Sequence, residues 1–429
     1  MEKLYHNLWK SKLLRKQLFD TEGNEIEVID PGLHNHDSGP DFFNSKIKIG
    51  GTEWVGNIEI HVKASDWFRH KHDKDPAYDS IILHVVGVSD MIIHRADGSP
   101  IPQLELTFPE KFFQNLSSLS SQTDGIKCGE LVPQLPPIIK TDWLESLYIE
   151  RLQEKSLRIK ELLELTGNNW EQTCFIVLSR ALGFGLNGQP FEMLAKSIPL
   201  TYLHHHSDSS LQLQALLFGQ AAMLDSSVNI FDEYYQTLCR EYYFLARKYN
   251  LRPLRPGLWK YSRTRPQNFP HRRIAWLATL CQNGFSLFSR IMDNAGDPEG
   301  LKQLFELHLE GYWANRYSFG ERHQASASKS LSDSSINSLI INVAVPLIYV
   351  YASITGNPEM GEKAVNILSE LPPENNSIIR MWKSVGFSPA DAEQTQSLIH
   401  LKKNYCDNRK CMFCRFGNFL LRKPLVATN

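Results

Sequence analysis

The stretch "GPDFFNSKIKIGGTEWVGNIEIHVK", from Gly39 to Lys63, decides the fold that the sequence predicts. Apolar and polar residues alternate on both sides of a Gly-Gly pair, which is the pattern of two strands joined by a tight turn. Asp41 precedes the first strand. Glu59, His61 and Lys63 share one face of the second, because side chains alternate between the faces of a strand. Ionisable side chains therefore occupy strands that otherwise have the composition of a protein core.

The same alternation extends to either side of this hairpin, and helical patterns flank it. Leucines at helical spacing from Leu4 to Leu18 predict an opening amphipathic helix, and the chain is helical in pattern after Thr141. We therefore predict an α+β protein in which an N-terminal mixed β-sheet module with flanking helices (1–115) leads through a linker (116–140) to a mostly α-helical domain (141–429). The predicted strands are Glu25–Ile29, Phe42–Ile49, Glu53–Val62, Ser80–Val88, Met91–Arg95 and Pro102–Phe108.

Composition limits the class of protein. The 429 residues are 42% apolar and 22% charged with a formal net charge of -1, as in ordinary globular chains of two or three domains. The most apolar run, Ile336–Ala352, is shorter than the roughly 20 residues of a membrane span, so no membrane partner is expected. Seven cysteines, an odd number, indicate reduced thiols or metal ligands and a cytoplasmic location.

Asp41 and Glu59 form the first chemical pattern. Two carboxylates held on rigid strands suit a hard divalent cation such as Mg²⁺ or Mn²⁺, which also needs open positions for water and phosphate. His61 or Lys63, further along the same strand, would position or deprotonate the attacking water. Glu2, at the start of the first helix, is an additional candidate ligand.

This layout, Pro40-Asp41 followed by Glu59-x-His61, resembles the PD-(D/E)XK nuclease superfamily, also called restriction-endonuclease-like. The resemblance implies a core of one helix, three strands, a helix and a further strand, with Asp41 and Glu59 holding the metal. The third motif residue of that superfamily is usually lysine, whereas this chain has His61, with Lys63 next on the same face. Ala64–Asp79 leaves room for barely two turns of the expected second helix.

Histidines concentrate in the first hundred residues, where eight of the fifteen occur. Five of them lie in two short loops and a strand around the two carboxylates, which predicts a convergent polar pocket. This pattern leaves open a hydrolase site for Zn²⁺ or Mn²⁺ that acts on small substrates. The five are His34, His36, His61, His70 and His72, and His84 is a further candidate.

A longer resemblance covers nearly the whole chain. It is to an uncharacterised bacterial family known as a domain of unknown function, and it implies no activity. The stretches that carry it are "GPDFFNSKI", "GNIEIHVKASDW", "YDSIILHVV", "RPQNFPHRRIAWLA" and "NYCDNRKCMFCRFGN".

Cys406, Cys411 and Cys414 form the second chemical pattern, C-x4-C-x2-C. Three thiolates this close repel one another unless a cation gathers them, so the spacing predicts a zinc or iron–sulfur centre. A fourth ligand is missing locally, and the candidates are Cys128 in the linker and His400. The other cysteines lie in apolar helical patterns.

Two basic runs indicate an anionic polymer as partner. Residues 252–273 contain seven Lys and Arg and no acidic residue, and residues 402–423 are similarly basic. Guanidinium groups neutralise phosphates, and aromatic rings provide stacking surfaces for unpaired bases. The candidate contacts to nucleic acid are Arg263, Arg265, Arg272, Arg273, Trp259 and Tyr261.

Together these patterns predict a metal-dependent nuclease-like protein that acts on DNA or RNA. A first alternative is a non-catalytic nucleic-acid-binding protein with a degenerate nuclease domain, in which His61 marks lost chemistry. A second is the histidine-rich Zn²⁺ or Mn²⁺ hydrolase of small substrates.

Overall fold

The computed structural model describes residues 2–10, 17–35, 38–106, 125–225, 232–282, 284–320 and 330–422, without the side chains of residues 3, 4, 7 and 422. The chain divides into two compact units. The first, the sheet unit, comprises Met1–Trp143 and Leu401–Asn429, and the second, the helical unit, comprises Leu144–His400. The sequence-based division differs, since it places residues 401–429 with the helices. The first nine residues of the predicted linker, 116–124, lie outside the described part of the chain.

A single mixed sheet forms the centre of the sheet unit. The strands are β1 (Leu18–Phe19), β2 (Glu25–Asp30), β3 (Leu33–His34), β4 (Phe42–Ile49), β5 (Thr52–Lys63), β6 (Ile81–Val88) and β7 (Gln103–Glu105). Their order in the sheet is β1-β2-β4-β5-β6-β7, with β3 paired to β4. β2, β4 and β5 pair antiparallel, whereas β5, β6 and β7 pair parallel.

The predicted hairpin is confirmed. β4 has the predicted bounds, and Ile49 pairs with Thr52 across the turn. Gly50 and Gly51 have φ angles of 53° and 87°, which glycine adopts without steric cost, so a two-residue turn is possible here. This register sets Phe42 opposite Ile58, and therefore brings the residue before β4 close to the middle of β5.

Three predicted elements differ from the structure. Met91–Arg95 is not a strand, and it contributes only an isolated bridge between His94 and Pro100. The first helix, α1, spans Glu2–Lys10, whereas Leu18 belongs to β1. The last predicted strand is β7, and residues 107 and 108 of that prediction lie outside the described residues.

A short crossover joins β5 to the parallel strand β6. It consists of helix α2 (Asp66–Arg69) and the 3-10 turns His72–Lys74 and Pro76–Tyr78. Residues on both faces of the sheet are buried. Tyr5 and Trp9 of α1 pack with residues such as Ile60, while Trp67 and Tyr78 of the crossover pack with residues such as Val86. The central strands are therefore enclosed on both sides, and the polar side chains of β5 and β6 lie in an interior.

The regular structure in the rest of the described chain is helical, apart from an isolated bridge between His308 and Ser330. The largest apolar cluster of this part lies in the helical unit and includes Trp276, Phe305 and Leu347. The helices are Pro137–Leu165, Trp170–Leu182, Gly188–Ser197, Leu200–His204, Ser210–Gln220, Glu233–Tyr249, Pro270–Cys281, Leu287–Asp293, Pro298–Phe305, Asp333–Leu339, Val345–Thr355, Pro358–Glu370, Ser377–Ser384, Ala392–His400 and Arg415–Arg422. Pro266–Asn268, Gly129–Gln134 and Gly311–Asn315 are 3-10 turns, and Ile340–Ala344 and Leu401–Cys406 are π-helical.

One helical stretch in the described chain, Asp333–Thr355, is long and apolar enough to cross a membrane. However, 61% of its most apolar window is buried inside the protein, and Ile340, Val343 and Leu347 belong to the apolar cluster of the helical unit. Burial of this kind is typical of the core helix of a soluble protein. The cytoplasmic location stays a prediction.

Candidate metal centre

Asp41 and Glu59 are held together at the start of β4. The backbone N–H of Asp41 donates to Glu59 Oε2 at 3.1 Å, and the N–H of Ile60 donates to Asp41 Oδ2 at 2.9 Å. Each carboxylate therefore accepts a hydrogen bond from a backbone N–H in the segment that carries the other carboxylate. Because both hydrogen bonds depend on the β4–β5 register, the hairpin itself positions the two carboxylates.

The Glu59 carboxyl group is in an unfavourable place for a negative charge. It is only 4% exposed, and burial, followed by the charge of Asp41, raises its pKa from 4.5 to about 9. A divalent cation between the two carboxylates would offset both effects, because its positive charge compensates for the hydration lost on burial and for the repulsion between the two carboxylates.

Helix α1 adds two more ligand atoms beside Asp41. One ligand atom each from Glu2, His6 and Asp41 lie within 4.8 Å of one another. His6 Nε2 is 3.1 Å from Asp41 Oδ2. Burial alone would lower the pKa of His6, but the contact with the Asp41 carboxylate outweighs burial and raises it. A nitrogen and an oxygen at this distance can also serve as two ligands of one cation. We call Glu2, His6, Asp41 and Glu59 the carboxylate site.

Histidines from three elements converge on the other side of Glu59. His61, on β5, lies with Nδ1 2.8 Å from His84 Nε2 and with Nε2 3.1 Å from His70 Nδ1. His72 Nε2 lies 3.2 Å from Glu59 Oε1. One ligand atom each from His61, His70 and His72 lie within 4.8 Å of one another, and we call these three residues the histidine site.

Glu59 connects the two sites through its two oxygens. Oε2 accepts the N–H of Asp41, and Oε1 faces His72 at 3.2 Å and His61 Nε2 at 3.5 Å. Glu59 would therefore be able to contribute one oxygen to a cation at each site.

His61 is suited to bind a metal and poorly suited to act as a base. It is fully buried, and burial, then the nearby His84, lowers its pKa to about 2, while burial lowers the pKa of His84 to about 3. A neutral imidazole is the form that coordinates metals. A pKa this far below 7 makes the ring a weak proton acceptor in the metal-free protein.

Lys63 does not share the buried surroundings of Glu59 and His61. The two-residue period places all three on one face, but β5 ends at Lys63 and the side chain of Lys63 is exposed. Hydrogen bonds from Ser65, and to a smaller extent the charge of Lys63, lower the pKa of the nearby Asp90 carboxyl group. In this position the ammonium group faces solvent.

The predicted histidine pocket is partly formed. His61, His70 and His72 meet, whereas His34 stacks on Phe42 with ring centroids 4.8 Å apart. His36 lies outside the described residues. Sequence reasoning gave no metal role to His6. The signal was present, because Glu2 and His6 are four residues apart and so share one face of α1.

The basic run divides into buried and exposed parts. Arg272 and Arg273 are 4% and 3% exposed. Arg272 Nη1 donates to the carbonyl oxygens of Trp313 and Arg316, both at 2.9 Å. Their predicted role as nucleic-acid contacts is therefore corrected, because these guanidinium groups bond inside the helical unit. Trp259 is 9% exposed and its indole N–H donates to Ala221 O, so it offers no stacking face.

We expect Arg272→Ala to lower the free energy of unfolding. Because Arg272 is buried, the substitution removes no direct contact with a polynucleotide. Losing the guanidinium leaves two carbonyl groups without their donor, which costs about 2 kcal/mol or more. Urea unfolding followed by circular dichroism measures this loss, with Arg265→Ala, an exposed position, as the control that changes stability by less than about 0.5 kcal/mol. Equal unfolding midpoints for Arg272→Ala and wild type would contradict the structural role.

Arg263, Arg265 and Tyr261 remain exposed in the helical unit. If they contact phosphates, the double variant Arg263→Ala/Arg265→Ala will weaken polynucleotide binding. The slope of log affinity against log salt will become shallower by about 1.8, since each lost phosphate contact contributes about 0.9. Arg290→Ala, an exposed arginine outside the run, is the matched control. A slope that is the same in the double variant and the wild type would assign these arginines to a solvated surface.

The cysteines of the sheet unit also converge. The thiol of Cys406 interacts electrostatically with those of Cys414, Cys128 and Cys411, and the thiol of Cys128 with those of Cys414 and Cys411. Burial, together with this mutual repulsion, raises the pKa of Cys128 to about 12. Of the two candidates for a fourth ligand, Cys128 joins the group, whereas His400 Nε2 lies 3.2 Å from Glu150 Oε2 inside the helical unit.

The fold and the sites define a protein with a mixed α/β sheet unit, a histidine–carboxylate pocket and a helical unit. Residues 2–377 match the family described as "Protein of unknown function (DUF2851)", and the chain belongs to this family. The family resemblance seen in the sequence is thereby confirmed. Cys128 lies inside the matched segment, and the three C-terminal cysteines lie beyond it. Neither curated proteins nor solved structures gave a match.

Proposed function

We propose that this protein is a metal-dependent nuclease-like hydrolase that cleaves phosphodiester bonds in DNA or RNA. The observation that supports the proposal most strongly is the pair of carboxylates, Asp41 and Glu59, which backbone hydrogen bonds hold side by side, with His6 and Glu2 next to Asp41. Carboxylate oxygens with one imidazole are a ligand set for Mg²⁺ or Mn²⁺.

The arrangement of the sheet unit supports this proposal. Helix α1, the antiparallel strands β2, β4 and β5, a helical crossover and the parallel strand β6 follow one another along the chain. The resemblance to PD-(D/E)XK nucleases implies the same order, with the two carboxylates at the start of the second of these antiparallel strands and on the third.

Each residue then has a distinct task. A bound cation would polarise the phosphate and lower the pKa of a coordinated water, so a separate base with a pKa near 7 is not required. Asp41 and Glu59 would hold that cation, and His6 and Glu2 would complete its coordination. His61 would keep its neutral imidazole directed towards Glu59 Oε1 and fix that oxygen.

The charge distribution supports a polymeric substrate. The exposed Arg263 and Arg265 are in a run of positive charge in a chain whose formal net charge is only -1. Such a local surplus attracts phosphates along a backbone, whereas a small substrate needs only the charges in its own pocket.

The test is cleavage of single- and double-stranded DNA and RNA by the wild-type protein with Mg²⁺ and with Mn²⁺. We expect metal-dependent cleavage of at least one substrate, abolished by EDTA. Failure to cleave any of them with either metal would overturn the enzyme proposal. Salt-dependent binding without cleavage would then favour the non-catalytic alternative.

A second candidate function rests on the histidine site. His61, His70 and His72 with Glu59 are a ligand set for Zn²⁺ or Mn²⁺, and such a centre hydrolyses small esters and phosphoesters. This candidate predicts Zn²⁺-dependent hydrolysis of p-nitrophenyl phosphate that His70→Ala abolishes. Hydrolysis of p-nitrophenyl phosphate that is absent with Zn²⁺, or that His70→Ala leaves unchanged, would exclude it.

A further inference from the structure

We propose that Cys128, Cys406, Cys411 and Cys414 are the four ligands of an iron–sulfur cluster in the sheet unit. The inference is independent of the nuclease proposal, since it concerns residues outside the carboxylate and histidine sites. Four cysteine thiolates are the ligand set of [4Fe–4S] clusters.

The first support is convergence from distant parts of the sequence. Cys128 precedes the 3-10 turn Gly129–Gln134, Cys406 ends a π-helical segment, and Cys414 immediately precedes the helix Arg415–Arg422. All four thiols nevertheless lie within electrostatic reach of one another. Chance packing of small apolar residues does not require four thiols from three segments to meet.

The second support is that the backbone beside Cys414 directs hydrogen-bond donors at its sulfur. The N–H groups of Gly417 and Phe416 donate to the Cys414 sulfur, and hydrogen bonds of this kind stabilise metal-bound thiolates. Gly417 is required for this close turn, because a Cβ there would lie 2.1 Å from the carbonyl oxygen of Cys411. The turn that contains Cys411 and Cys414 therefore depends on the close backbone approach at Gly417 as well as on the cysteines.

The third support is a buried positive charge. Lys127 Nζ is inaccessible to solvent and has no hydrogen-bond partner among the residues that the structure describes. Burial raises the pKa of the Cys411 thiol, and the positive charge of Lys127 opposes that rise. An unpaired buried ammonium is costly, and a cluster that carries four thiolates would provide the negative charge to pair with it.

The spacing of the sulfur atoms favours an iron–sulfur cluster over zinc. A single tetrahedral Zn²⁺ holds its sulfurs at about 2.3 Å, which places neighbouring sulfurs only about 3.8 Å apart. Among the described residues, three ligand atoms that all lie within 4.8 Å of one another occur in two sets, and both sets consist of histidines and acidic residues. No three of the four cysteine sulfurs are therefore that close together. A four-iron cluster binds each thiolate through a different iron and therefore fits a wider ring of sulfurs.

The experiment is metal and sulfide analysis of the full-length protein purified without oxygen. We expect about four iron and four acid-labile sulfide per chain and visible absorption that dithionite bleaches. Cys128→Ser should lose about half of that iron or more, a drop of about twofold or greater, because the cluster loses one of its four protein ligands. Cys239→Ser is the matched control, since Cys239 contacts Tyr235 in the helical unit and should leave iron content unchanged.

Mössbauer spectra of the wild-type protein keep the test decisive if Cys128→Ser does not fold, because they identify the cluster without any substitution. Wild-type protein that contains only zinc, or neither metal, would overturn the proposal. So would a folded Cys128→Ser variant with full iron and sulfide content, or an equal loss of iron in Cys239→Ser.

Discussion

Asp41→Asn will reduce metal-dependent cleavage by about 10³-fold or more while the protein stays folded. The amide keeps an oxygen that accepts the N–H of Ile60, so the hydrogen bond at 2.9 Å that fixes the side chain is retained. What is lost is one charged oxygen ligand of the cation. Metal stabilisation of the transition state is worth several kcal/mol, and about 4 kcal/mol corresponds to a factor of about 10³.

The measurement is kcat/KM for the best polynucleotide substrate at saturating Mn²⁺. Asp79→Asn is the matched control, because Asp79 is an exposed carboxylate of the same unit outside both sites, and we expect less than a twofold change. Activity of Asp41→Asn within tenfold of the wild type would remove Asp41 from the metal site.

Glu59→Gln will stabilise the metal-free protein at alkaline pH and abolish its stabilisation by metal. In the metal-free protein, burial and the charge of Asp41 raise the pKa of Glu59 from 4.5 to about 9. A group whose pKa is higher in the folded than in the unfolded state contributes stability below its unfolded pKa, and this contribution is lost as the pH rises through the folded pKa. Metal-free wild type therefore loses stability between pH 4.5 and about 9, and the variant lacks this component.

Thermal unfolding at pH 6 and pH 8, with EDTA or with Mn²⁺, measures both effects. At pH 8 without metal, we expect Glu59→Gln to melt about 3 °C or more above the wild type, the shift that about 1 kcal/mol produces in a unit of this size. Mn²⁺ at 100 times its Kd should stabilise the wild type by about 2.7 kcal/mol and the variant far less. A variant that Mn²⁺ stabilises as much as the wild type would show that Glu59 does not bind the metal.

The hairpin was predictable because its signals are local. Alternation with a period of two and a Gly-Gly turn define β4 and β5, and their register alone brings Asp41 to Glu59. The carboxylate pair therefore follows from about twenty-five consecutive residues, from Gly39 to Lys63.

The crossover and its histidines were only partly predictable. Residues 64–80 form four residues of α-helix and two 3-10 turns, which have no strong periodicity. That His72 stacks on Tyr78 and faces Glu59 depends on the parallel pairing of β5 with β6, a non-local contact. Sequence spacing could place the histidines in one region but could not select which of them meet.

Arg272 and Arg273 show how a charge count misleads. The run from 252 to 273 has the composition of a nucleic-acid surface, yet the helix Pro270–Cys281 buries both arginines. The acceptors of Arg272 include Trp313 O and Arg316 O, which are about forty residues away in the sequence. Burial of a charged side chain by distant carbonyl groups leaves no local signal.

The most direct test of the central claim, that Asp41 and Glu59 hold a divalent cation, is anomalous diffraction from crystals of the full-length protein grown with Mn²⁺. We predict one strong manganese peak about 2.1 Å from oxygens of both Asp41 and Glu59, with His6 Nε2 as a further ligand. A second peak at the histidine site would be compatible with a bridging Glu59. A manganese peak at the histidine site alone, or no peak near Asp41 in crystals that contain saturating Mn²⁺, would contradict the account.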